Sequence, residues 1–145
     1  MLRFGERVKK NITYKRRVGA YGIIEVKGSL ILTKQIINEH TSEIQLPGGG
    51  LESNETLAQA LVREAYEETG WRVYIKRKIG CYQRFVFMPE YNIWAHKICH
   101  IFFCQGILKL APPSEKNHSV LLVSPKIAPT LLESSGDQYF VKKIF

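Results

Sequence analysis

Cysteine is scarce and badly spaced for a framework. Cys81, Cys99 and Cys104 are odd in number and include no CxxC pair. That excludes a disulfide scaffold or a cysteine zinc site. It leaves reduced thiols in a cytoplasmic setting, serving as small core residues. Long apolar runs are missing too: nothing approaches the ~18 residues of a membrane span. The first residues are basic, but no apolar stretch follows them, so a secretory signal is not expected. No repeat, low-complexity tract or linker divides the chain. Its 145 residues, 45% hydrophobic and 23% charged, therefore read as one soluble domain, 1–145, with a core that needs no staples.

What is present is charge, unevenly spread. The net charge is +8, yet five acids and one arginine lie between Glu52 and Glu68. An acidic pocket in a basic body suits a metal site that receives an anionic substrate by electrostatic steering. Residues 7–17 are dense in cations but lack aromatic interleaving beyond Tyr14 and carry no RNA-binding signature. They read as a solvated edge strand, so nucleic acid is not the expected partner.

Residues 18–26 and 29–33 flank Lys27-Gly28 and predict a β-hairpin, with Gly22 marking a bulge or a close backbone approach. Residues 34–42 are polar and read as a loop, and 43–46 as a short extended run stopped by Pro47. Ser53 or Asn54 is the expected N-cap of a helix over 55–69, with Gly70 at its C-terminal boundary. Strands are expected over 72–76, 79–88 and 93–106, with a hairpin loop at 89–92 and 107–110 extending the ribbon. A further strand is expected at 119–123. Ser124-Pro125 predicts a helix to about residue 133, and Asp137 the cap of a last helix over 138–144. Strands around one central helix, with helices at the end, give an α/β or α+β layered domain.

The most informative stretch is residues 46–71, LPGGGLESNETLAQALVREAYEETGW. Three glycines let the backbone come close to a ligand and expose peptide oxygens. In the helix that follows, Glu64, Glu67 and Glu68 fall at i, i+3 and i+4 on one face. Leu57, Ala58, Leu61, Val62 and Ala65 form the expected apolar stripe, and Glu68 projects between Leu57 and Leu61. A solvated charge cluster would point away from that stripe. Crowded carboxylates raise each other's pKa, and a divalent cation such as Mg²⁺ or Mn²⁺ would relieve them.

The spacing of Gly49, Glu55, Arg63-Glu64, Glu67-Glu68, Gly70 and a bulky apolar residue at 71 resembles the Nudix box of the Nudix hydrolase family. Every charged and glycine position is filled. Trp71, where a smaller aliphatic is usual, touches packing only. The resemblance implies an α/β/α sandwich with a mixed β-sheet. It also implies metal-dependent hydrolysis of a nucleoside diphosphate-linked small molecule. Glu64, Glu67 and Glu68 would be metal-binding carboxylates, Glu64 also helping to deprotonate water. The Gly48 carbonyl would be a further ligand, and Arg63 and Glu55 a supporting ion pair. Glu90, Glu115 and His118 are candidates for an extra base or ligand, with a surface role as the expectation for each. His96 and His100 read as ordinary strand residues. Phe85, Phe87, Tyr91 and Trp94 lie where a base could stack, although strand aromatics are usually core.

Pro89 falls just outside the spacing from Trp71 expected of ADP-ribose hydrolases. The stretch looks most like the nucleotide-sanitising (d)NTP pyrophosphohydrolases. An ADP-ribose or nucleotide-sugar pyrophosphatase is the alternative. So is a nucleotide-binding sensor without turnover, although such modules commonly lose box carboxylates. A homodimer is compatible with the sequence.

Overall fold

Lys27 and Gly28 both have positive φ, 49° and 81°, as a tight type I′ reversal between twisted strands requires. They join β2 (Lys15–Val26) to β3 (Ser29–Asn38) as an antiparallel pair. The computed structural model describes residues Met1–Phe145. The expected loop at 34–42 is mostly strand: β3 runs to Asn38, turns, and returns as β4 (Thr41–Gln45). This pair is largely exposed on one side, and an antiparallel ribbon tolerates polar residues there. Its polarity alone made it read as a loop.

β5 (Gly48–Gly50) pairs with β2, Gly49 opposite Ala20. The strands expected at 72–76 and 79–88 are one element, β6 (Trp71–Met88). Register shifts between Ile75 and Arg77 and between Lys78 and Gly80 bend it without ending it. β7 (Ile93–Lys109) completes the ribbon across the 89–92 turn. β1 (Leu2–Gly5) lies parallel to β6, and β8 (His118–Val123) antiparallel to β3. The main path is β1-β6-β7-β2-β3-β4, with β2 and β7 parallel. β2 is thus an interior strand. The solvated edge strand expected over 7–17 does not form: residues 6–14 are irregular and 15–17 open β2.

Strand alternation sends Ile23 and Ile24 to opposite faces, both fully buried. Each burial contributes ~1.5–3 kcal/mol. On one face α1 (Leu57–Thr69) packs Leu61 and Ala65 with Ile24, Ile31 and Phe102. On the other, Phe140 and Val141 of α3 (Ser135–Ile144) pack with Ile23, Leu30, Leu32 and Ile101. The result is a mixed sheet between helical layers. Cys99 and Cys104 are buried within it, and burial pushes their thiols up to about 11 and about 12. No helix is long and apolar enough to cross a membrane.

Two C-terminal expectations need correction. The helix expected to start at Ser124-Pro125 is only α2 (Ala128–Leu131). Pro129 has no N–H and can sit only in a first helical turn, so a longer helix would have placed it in the interior. Asp137 is not a cap. It lies in the first turn of α3, 5% exposed, and accepts a hydrogen bond from the Tyr82 hydroxyl at 2.8 Å.

Candidate active site

The helix that carries the carboxylates starts two residues later than expected. Thr56, not Ser53 or Asn54, is the N-cap. Its hydroxyl accepts from Gln59 N–H (3.1 Å), and Gln59 Oε1 accepts from Thr56 N–H (2.9 Å). This reciprocal box was present in the sequence as T-x-x-Q. Asn54 instead takes a left-handed conformation, φ 65°, in the entering loop. Gly70 ends the helix at φ 74°, donating to Tyr66 O at 2.8 Å. A Cβ there would sit 1.7 Å from Ala111 O. The segment after β7 hangs on this helix end: Leu110 N–H donates to Gly70 O, and Ser114 and Glu115 N–H both donate to Glu67 O.

The phase of α1 differs slightly from the expected stripe. Ala60, Leu61, Ala65, Glu68 and Thr69 are buried, while Ala58 and Val62 are exposed. Glu68 is therefore inside, 7% exposed, as its place between Leu57 and Leu61 predicts. Its Oε1 accepts the Gly48 N–H at 2.9 Å. Gly48 thus holds Glu68 through its N–H, and its backbone lies at the cleft where the sequence predicts a carbonyl ligand. Burial holds the Glu68 carboxyl well above the ordinary range; the Gly48 N–H opposes this, and Glu64, Glu115 and Glu67 add to it. Burial also raises Glu64, against Arg63. Glu64 lies against the glycine run: a Cβ on Gly49 would fall 2.7 Å from its carboxyl carbon.

Arg63 gathers the loop and the helix. Its Nε and one terminal nitrogen hold Glu55 at 2.6 and 2.9 Å, and the same nitrogen reaches Gly50 O at 3.1 Å. The other terminal nitrogen donates to Glu64 at 2.9 Å and to Glu67 at 3.3 Å. The expected Glu55–Arg63 pair therefore forms, two-pronged, and Arg63 holds the Glu55 carboxyl down at about 2. Glu67, bound to Arg63, is not among the residues lining the cleft, whereas Glu64 and Glu68 are. No three His, Cys, Asp or Glu side chains converge closely enough to enclose an ion.

The rest of the cleft comes from distant parts of the chain. Glu90, Glu115 and His118, for which a surface role was expected, all line it. Tyr91 lines it with the Arg17 guanidinium 4.5 Å over its ring. The other aromatics proposed for base stacking do not line it. Phe85 and Trp94 pack edge-on against Tyr14, and Phe87 lies tilted against Trp94. His96 stacks on Phe85 and His100 meets Lys78, both as ordinary strand residues. Lys97 was missed. Its signal was a lysine between the inward-facing Ala95 and Cys99, a place where an uncompensated cation is rare.

Comparison with known proteins bears on the family and the fold. An "ADP-ribose pyrophosphatase" of Methanocaldococcus jannaschii is 34% identical over 115 residues, 72% of this chain and 66% of the relative. A "Putative 8-oxo-dGTP diphosphatase" of Bacillus subtilis is 43% identical over 49 residues, 34% of this chain and 33% of the relative. The chain thus spans just under two thirds of the first of these relatives and a third of the second. A NUDIX hydrolase from Nitrosomonas europaea superposes with a TM-score of 0.74 at 18% identity, covering 90% of this chain and 88% of its own, a likeness of fold. The NUDIX domain model matches residues 13–143, and the chain belongs to the Nudix family.

Proposed function

We propose that the chain hydrolyses a diphosphate linkage in a nucleoside diphosphate derivative, assisted by Mg²⁺ or Mn²⁺. The observation that carries this reading is the meeting of Glu64 and Glu68 with the Gly48–Gly50 backbone in one cleft lined also by Arg17 and Lys97. The donors fit a divalent cation. A buried carboxyl pushed up by desolvation and by neighbouring carboxylates is destabilised as an anion, and a hard cation relieves that cost. Glu64, Glu67 and Glu68 would hold it, Glu67 by releasing Arg63. When bound, the ion screens phosphate charge and acidifies water.

The chain's own groups do the remainder. Glu64, against the glycine run, takes the proton from the attacking water. Arg63, clamped by Glu55 and Gly50, aims Glu64. Arg17 and Lys97 are register partners on parallel strands, and Arg84 pairs with Lys97 from the other side. Like charges opposite one another are unfavourable in a sheet; Glu133 answers Arg84 at 3.2 Å, and an anionic substrate over Arg17 and Lys97, which line the cleft, offsets their repulsion. Tyr91, at the turn between β6 and β7, offers the cleft an aromatic face for a base.

For the substrate, the broader match favours an ADP-ribose-like molecule, and the shorter one an oxidised nucleoside triphosphate. Turnover of ADP-ribose, nucleotide sugars, 8-oxo-dGTP and ordinary nucleotides, each with Mg²⁺, Mn²⁺ or excess chelator, tests both. Metal-dependent release of nucleoside monophosphate is expected. Full activity in chelator would overturn the metal requirement. Tight nucleotide binding without turnover would make the chain a sensor.

A further inference from the structure

His118 was singled out in the sequence only as one of three candidates, and the function above leaves it without a task. It opens β8, directly opposite Gln35 of β3, and this pairing carries it into the cleft. Its side chain is only 6% exposed. Nδ1 lies 3.0 Å from the Lys116 carbonyl oxygen. A carbonyl can only accept, so Nδ1 carries the hydrogen. In the neutral ring Nε2 then presents a lone pair. That nitrogen makes no hydrogen bond, and its facing group is Glu68 Oε2 at 3.5 Å.

A buried imidazole with one nitrogen fixed by a backbone carbonyl and the other bare toward a carboxylate is the arrangement of a metal-binding histidine. Glu68 is similarly prepared: Gly48 N–H holds one oxygen, and the other faces His118. Two donors at ~2.1 Å from one ion lie within about 4 Å of each other, and 3.5 Å satisfies this bound.

We infer that His118 Nε2 is a nitrogen ligand of the divalent cation, sharing it with Glu68 Oε2. This rests on the metal-dependent reading above and adds a donor that the glycine–carboxylate segment does not contain. The consequence is selectivity. Oxygen donors alone suit Mg²⁺ and Mn²⁺, while an imidazole raises affinity for later metals such as Co²⁺.

The test is pulsed EPR of Mn²⁺ bound to the protein, with and without ¹⁵N-histidine labelling, beside calorimetric titration with Mg²⁺, Mn²⁺ and Co²⁺. A histidine nitrogen coupling is expected in the wild type. It should vanish in His118→Gln and persist in His40→Gln, the control for the exposed His40. His118→Gln should lose affinity about tenfold or more, with Co²⁺ losing most and Mg²⁺ least. If that variant does not fold, a coupling retained in His40→Gln, His96→Gln and His100→Gln assigns it to His118 by elimination, since the chain has four histidines, and a coupling lost in any of them overturns the assignment. Mn²⁺ binding without a histidine coupling, or with one that survives His118→Gln, overturns the inference and leaves the hydrolase reading standing. Failure to bind Mn²⁺ at all overturns both.

Discussion

Gly49→Ala separates chemistry from folding. Gly49 has no positive φ, so alanine fits its backbone. The new Cβ would lie 2.7 Å from Glu64 Cδ and 2.8 Å from Oε1. Non-bonded carbons settle at ~3.5–4.0 Å, so the carboxyl must retreat by about 1 Å. Glu64 is the end of a flexible side chain and can swing, which keeps the cost to folding small. Gly→Ala also restricts the unfolded chain, stabilising by ~0.4–1 kcal/mol. A catalytic group displaced by ~1 Å loses roughly 10²-fold in rate, equivalent to ~2.7 kcal/mol in the barrier. The expected result is a kcat down about a hundredfold with a urea midpoint close to wild type. Both are measured on one preparation, at saturating substrate and metal. A kcat within twofold of wild type would show that the Glu64 position is immaterial and would refute the reasoning. Gly70→Ala is the contrast. Its left-handed φ and the 1.7 Å approach to Ala111 O involve backbone, so the fold itself should fail, seen as lost soluble expression or a much lower urea midpoint.

Glu68→Gln removes a buried charge while keeping an acceptor for Gly48 N–H. Without metal, at neutral pH, its thermal midpoint should equal or exceed wild type, while kcat falls by ~10²-fold; a destabilised metal-free variant would contradict this. Arg63→Ala should lower kcat at least about tenfold, ~1.4 kcal/mol in the barrier. Its loss of unfolding free energy should be smaller, and a kcat within twofold would remove Arg63 from the positioning role. Asp137 titrates above its ordinary value because burial disfavours its charge, against Tyr82 and Lys97. The folded state therefore holds that proton more tightly than the unfolded chain. Its contribution is present below the unfolded pKa, near ~3.9, and is lost as pH rises through the folded value. Urea midpoints across the acid range should show Asp137→Asn gaining on wild type as pH rises; wild type gaining on the variant would reverse the sign.

The carboxylate helix was legible because its period is local. One turn of spacing placed Glu68 inside, and the structure buries it. The stripe was rotated in the sequence reading because Ala58 and Val62 are apolar but find nothing to cover them. The late residues were not legible for a different reason. His118 enters the cleft through a pairing with Gln35, and Glu115 through a hydrogen bond to Glu67 O. Neither contact leaves a period in the chain. Lys97 left a local trace, one cation among inward-facing residues, but its setting beside Tyr21, Arg17 and Arg84 exists only once the strands pair.

The parallel joining of β2 to β7 also governs how the molecule comes into being. Lys15 through Glu25 align with Ala95 through Gln105, partners some 80 residues apart. A pairing so remote must close a long loop before any contact repays its entropy, which places folding toward the slow, non-local end of the range. The glycine run and α1 are near neighbours and can associate early. The wall bearing Lys97 arrives only when the two halves of the chain meet. In a refolding experiment, protection of the α1 amides should precede the return of turnover, because half of the machinery exists before the molecule can use it.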